Sequence, residues 1–95
     1  MDSKGKTNKQ KESIETKYKL GEMIGEGGNA KVFAVIPLNS QELLALKYLS
    51  VRSEEKELRF HDEVKIMKDN ASISGIMPIL DFDLDNYWYV MPIAT

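Results

Sequence analysis

The chain has no cysteine and a single histidine among its 95 residues. The first absence excludes disulfides, thiolate metal sites and thiol nucleophiles, and it fits a cytosolic, cytoplasmic protein. No apolar run reaches the length of a membrane span, and the N-terminus carries no apolar segment of the kind that directs export. Excess charge of one sign is also missing. The 13 Lys+Arg against 15 Asp+Glu leave a net charge of −2, which argues against nucleic acid as the main ligand. Neither a membrane nor a nucleic acid is therefore expected as a partner.

What is present is ordinary for a globular chain: 42% hydrophobic and 29% charged residues, in a length that allows one small domain. Residues 1–13 contain no apolar side chain after Met1, and Lys4, Lys6, Lys9 and Lys11 make them basic. Nothing in that composition offsets the entropy of ordering, so a disordered, solvated tail is expected, with order beginning near Ile14 or Tyr18. The domain then covers residues 14–95.

That domain is arranged around Ile24-Gly25-Glu26-Gly27-Gly28-Asn29-Ala30-Lys31-Val32. Glycine at 25, 27 and 28 lets the backbone approach another group closely, and inward-pointing amides suit phosphate oxygens. A dinucleotide fingerprint or a Walker loop opens a helix. Here the run that follows, Lys31-Val32-Phe33-Ala34-Val35-Ile36, is β-branched and aromatic and halts at Pro37, and no Gly-Lys-Ser/Thr occurs. Residues 18–24 are apolar at alternate positions, so the glycines fall at the tip of a β-hairpin.

Pro37-Leu38-Asn39-Ser40-Gln41 has turn composition and leads into residues 42–49, a nearly continuous apolar run that makes a second hairpin. Lys47 is the one charge within its apolar part, on the same face as Ala45 and Leu43. It reads either as a lysine snorkelling from an edge strand or as a ligand for an anion. Ser53 followed by Glu54-Glu55 signals a helix start, and Asn70 and Gly75 break the pattern beyond it, predicting a helix over 54–69. Its apolar stripe is Phe60, Val64 and Met67. Glu63 borders that stripe and needs a partner, for which Lys47 is the unattached candidate; Glu57 lies about as near the stripe. Residues 76–82 and 87–91 read as two further strands joined by an acidic turn, with His61 at the surface and Trp88 in the core. The expected fold is α+β: a five-stranded antiparallel sheet with one packed helix, preceded by a flexible N-terminal tail.

Gly25, Gly27 and Val32 fall on the G-x-G-x-x-G-x-V pattern of the protein kinase nucleotide loop, with Ala30 in place of the third glycine. Leu44-Ala45-Leu46-Lys47 resembles the V-A-I-K strand of the same family. Over residues 18–95 the chain therefore resembles the N-terminal, ATP-binding lobe of a Ser/Thr protein kinase. The resemblance implies ATP with Mg2+ as cofactor, Gly25, Glu26, Gly27, Gly28, Asn29 and Ala30 over the phosphates, and Lys47 on the α- and β-phosphates. It also implies that Glu63 pairs with Lys47, since the family has a core hydrophobic residue one turn later and Met67 fits after Glu63. Ile24, Val32 and Ala45 become the apolar roof over adenine, Met91 the gatekeeper, and Pro92-Ile93-Ala94 the hinge. Pro92 would offer its carbonyl there, and Ala94 both N–H and C=O.

Two look-alikes are set aside. Asp81-Phe82-Asp83 lacks the glycine of D-F-G, and Asp81, Asp83 and Asp85 have calcium-loop spacing without the glycine and glutamate that such a loop needs. No H-R-D-x-x-x-x-N loop occurs, so neither a catalytic aspartate nor a metal ligand is expected in these residues. The expectation is an inactive piece of a kinase severed at the hinge, whose partners are the missing C-terminal lobe and, in the parent, a protein substrate; its uncovered underside would favour self-association. A pseudokinase-like interaction module and an unrelated small β-rich domain are the rival readings.

Overall fold

The computed structural model describes residues 2–70 and 78–93. Helix α1 (Asp2–Glu15) leads into strands β1 (Tyr18–Glu26), β2 (Ala30–Pro37) and β3 (Leu44–Leu49). Helix α2 (Glu54–Asp69) follows, and strands β4 (Asp81–Asp83) and β5 (Trp88–Pro92) close the order. All five strands join one antiparallel sheet in the order β1-β2-β3-β5-β4, with β5 between β3 and the edge strand β4.

The period of two along the strands separates two apolar layers. Val35, Leu46, Trp88 and Val90, each no more than 1% exposed, face one side together with Leu44, and there they meet Ile14 of α1 and Tyr18. Leu49 and Tyr89 face the other side and pack against Phe60 and Val64 of α2, with Met67 and Met91 at the margin. The central strands β3 and β5 are thus covered on both faces, which is why they read as nearly unbroken apolar runs.

Helix α2 runs where its signals predict. The Ser53 side chain accepts from the Lys56 amide at 3.2 Å, Glu54, Glu55 and Glu57 fill the first turn, and the Asn70 cap returns its backbone and side-chain N–H groups to the Ile66 carbonyl. The strand expected from residue 42 begins at Leu44, and Leu43 is exposed. The strand expected over 76–82 is only Asp81–Asp83, extended by the Leu80 amide bonding to the Val90 carbonyl at 2.8 Å; residues 76 and 77 lie outside the described residues.

The expected tail is the main correction. It forms α1, so the sheet carries two helices instead of one. Composition misleads here because the anchors are mostly polar. The Gln10 side-chain amide donates to the carbonyls of Leu49, Asn86 and Tyr87 at 3.2, 2.7 and 3.3 Å. The Ser13 hydroxyl donates to Asp83 at 2.6 Å and accepts from the Trp88 indole at 3.1 Å, and Ile14 is 2% exposed. Among the described side chains of α1, Ile14 packs into the core and Gln10 and Ser13 hydrogen-bond to the sheet and the β4–β5 turn, and no amphipathic stripe announces them.

The acidic turn between β4 and β5 is built by Asp83, whose carboxylate accepts from the amides of Asp85 and Asn86 and from the Asn86 side chain. Partial burial works to raise this carboxyl, but the hydrogen bonds from Ser13, Asn86 and Asp85 outweigh it and hold it below the usual aspartate range. Tyr87 ends the turn with φ of 59°, a left-handed conformation rare outside glycine. Its ring is gripped from both sides, by the Arg52 guanidinium 4.1 Å from its centroid and by His61 stacked at 5.3 Å. His61, expected at the surface, is half-buried there and hydrogen-bonded to the Leu84 carbonyl at 3.0 Å.

Candidate functional site

The glycine stretch is the tip of the β1–β2 hairpin, where Gly25 pairs with Val32 and Glu26 with Lys31. The Gly27 amide closes the tip on the Ala30 carbonyl at 2.9 Å. Asn29 ties it to the segment after β3, its carbonyl accepting from the amides of Ser50 and Val51 at 2.8 and 3.2 Å. Gly21 has an internal reason to be glycine, since a Cβ there would stand 2.9 Å from the Ala34 carbonyl oxygen. The tip glycines have none. None of Gly25, Gly27 and Gly28 adopts the left-handed φ range, a Cβ on Gly27 would meet nothing nearer than 3.9 Å, and one on Gly28 nothing within 4 Å. Bare backbone at the tip is therefore not demanded by the packing of the chain around it.

Lys47 lies opposite Val32 on β2 and opposite Tyr89 on β5, and Ala45 lies opposite Met91. Directly paired residues of antiparallel strands share a face, so Val32, Ala45, Lys47, Tyr89 and Met91 all project toward the α2 side. Ala45 is 4% exposed, Val32, Met91 and Pro92 are half-buried, and Ile24 is 52% exposed at the rim. Pro92 ends β5 opposite Leu44; Ala94 lies outside the described residues.

From the middle of α2, Glu63 reaches the sheet. Its Oε2 stands 2.9 Å from the Lys47 ammonium and also accepts from the Tyr89 hydroxyl at 2.6 Å. The ammonium sits 5.8 Å from the Tyr89 ring centroid. Burial, and then the Glu63 carboxylate, push the Tyr89 phenol well above its ordinary value, so it remains a donor through the physiological range. Glu57, the competing carboxylate, is engaged elsewhere: Arg52 bonds it at 2.8 Å and Tyr87 at 3.2 Å, and the Arg52 bond leads in holding its carboxyl below the usual range.

Between the hairpin tip and α2 an open cavity of about 210 Å³ is lined by Asn29, Ala30, Lys47 and Glu63, together with Lys56 and Arg59 from the first turns of the helix. Its lining holds three cations and one carboxylate; Lys47 is bonded to Glu63, Arg59 is paired with Glu55 at 2.9 Å outside the cavity, and Lys56 adds a further positive charge. Lys56, Arg59 and Tyr89 were not among the expected site residues. Tyr89 had a readable signal, the same strand parity as Met91, whereas Lys56 and Arg59 look like any solvated helix charges. The aspartates of the acidic turn form no metal site: no cluster suited to a metal ion occurs among the described residues, and Asp81 is occupied by Tyr18, Lys17 and the Phe82 amide. No helix among the described residues is long and apolar enough to cross a membrane. Neither protein-family descriptions, nor curated proteins, nor solved structures give a match to this chain.

Proposed function

We propose that this chain is the nucleotide-binding half of a protein kinase, built to hold the phosphates of ATP for transfer of the γ-phosphoryl group to a serine or threonine hydroxyl. The observation that carries the reading is the Lys47–Glu63 pair at 2.9 Å, made between sheet and helix on the face that Val32 and Ala45 share, beside an unobstructed glycine tip. A phosphate chain lying along that tip would find the backbone amide of Gly28 and the ammonium of Lys47, the Gly27 amide being spent on the Ala30 carbonyl. Ile24, Val32 and Ala45 offer an apolar surface for a base, with Met91 behind it and the Pro92 carbonyl and Ala94 backbone at its edge.

The chemistry available here is positioning and charge. Phosphoryl transfer through a loose transition state asks for that more than for covalent help. Glu63 fixes where the ammonium sits, and Lys47 balances charge on the α- and β-phosphates. The magnesium ions of such a reaction neutralise the phosphates when bound, and no cluster of carboxylates suited to a metal ion occurs among the described residues. Asp81 is engaged by Tyr18 and the Phe82 amide, Asp83 by the amides of Asp85 and Asn86, and Glu63 Oε2 by Lys47 and Tyr89. The residues that would bind the metal and accept the hydroxyl proton are not among these 95.

An acyl-phosphate derivative of ATP, which acylates a lysine held against the phosphates, tests the reading directly. Mass spectrometry should find Lys47 labelled ahead of every other lysine and protected by excess ATP. Labelling spread over Lys9, Lys11 and Lys17 with no protection would overturn it.

A further inference from the structure

We propose that Tyr89 is a positioning residue that holds the Glu63 carboxylate against the sheet, so that the carboxylate stays in place while Lys47 turns toward an anion. That the anion is a nucleotide phosphate rests on the function proposed above; the hold itself does not. An ammonium has three N–H groups, and one of them reaches Glu63 Oε2 at 2.9 Å. Phosphate binding has to redirect the others and draw the flexible lysine stem outward. If Lys47 were the sole polar tie, that movement would leave the Glu63 carboxylate free to swing away, even though Phe60 and Val64 keep the helix packed on the sheet.

Tyr89 supplies a second tie of a different kind. Its hydroxyl reaches the same Oε2 at 2.6 Å, in the short range of hydrogen bonds to a charged acceptor. It is 2% exposed, and its ring packs on Phe60 with centroids 5.6 Å apart, so packing fixes the rotamer independently of the bond. Pairing with Lys47 across β3 and β5 sets its position along the sheet. The donor therefore comes from a stiff aromatic on a central strand, whereas the ion pair is 29% exposed at Lys47 and 37% at Glu63, and solvent screens it. A rigid donor that stays in place lets the mobile one leave.

The test compares Tyr89→Phe, which keeps the ring and removes only the hydroxyl, with Tyr18→Phe, which removes a comparable phenol bond to Asp81 at 2.9 Å on the α1 side of the sheet. The side-chain ammonium signal of Lys47 and the carboxyl carbon of Glu63 are followed by NMR, and the affinity for ATP is read from the amides of residues 25–32. In Tyr89→Phe the Glu63 carboxyl signal should shift, the Lys47 ammonium should broaden by exchange with water, and the Kd for ATP should rise about fivefold. Tyr18→Phe should change none of the three. Unchanged Lys47 and Glu63 signals in Tyr89→Phe, or equal changes in both variants, would overturn the positioning role. If ATP leaves the wild-type amides of 25–32 unmoved, the nucleotide reading fails, and the Lys47 and Glu63 signals still decide the role of Tyr89.

Discussion

Lys47 on β3 and Glu63 on α2 meet at 2.9 Å, and both side chains remain about one third exposed. An ion pair so placed is screened, and its worth to stability is limited to about 0–1 kcal/mol. Lys47→Met, which keeps an apolar stem, should therefore lower the unfolding free energy by less than about 1 kcal/mol in urea titrations. The same variant should lose ATP binding. A large loss of stability would mean that the pair is chiefly structural.

Helix α1 is held by buried Ile14 together with the hydrogen-bonding side chains of Gln10 and Ser13. Removing Gln10 and Ser13 together withdraws the donor to three carbonyls and the bridge between Asp83 and Trp88. Gln10→Ala with Ser13→Ala should cost about 2–3 kcal/mol in total. It should also reduce the far-UV helix signal, because an undocked, predominantly polar helix of 14 residues is marginal in water. An unchanged helix signal would show that α1 is held by Ile14 alone.

Acid should loosen the same corner. Asp83 is held below the usual carboxylate range in the folded state. Its contribution is therefore complete above the unfolded value of about 3.9 and is lost as pH falls through the lower folded value. Thermal unfolding followed from pH 6 downward should show stability falling as that range is entered, and Asp83→Asn should flatten the fall. Tyr18 and Tyr89 act at the opposite end. Both phenols are raised by burial and by a carboxylate neighbour, so their contribution is complete below the unfolded tyrosine value of about 10 and is lost as pH rises beyond it.

How much of this was legible in the sequence depended on the kind of contact each residue makes. Helix α2 could be read because Ser53, the acidic first turn and the Phe60-Val64-Met67 spacing are local signals, and the hairpin tip because glycines stand between alternating apolar strands. Two misfit charges beside apolar surfaces pointed to a contact between Lys47 and α2, and the choice of Glu63 over Glu57 came from the kinase resemblance. Helix α1 was missed because Gln10 and Ser13 bond to carbonyls and side chains more than 35 residues away, and no local pattern encodes such a partner. Likewise, among the described residues β4 begins later than expected: Ile79 and Leu80 read as strand, whereas the strand itself is Asp81–Asp83, with one further bond from the Leu80 amide to the Val90 carbonyl.

Titration of ATP into the 15N-labelled chain, followed residue by residue, tests the central claim most directly. The account predicts weak, saturable binding, with a Kd of roughly millimolar. The largest amide shifts should fall on residues 25–32, with further shifts at Ala45 and at the Lys47 side chain, and all of them should be lost in Lys47→Met. Shifts confined to α1 and the β4–β5 turn, or none at several millimolar ATP, would contradict it.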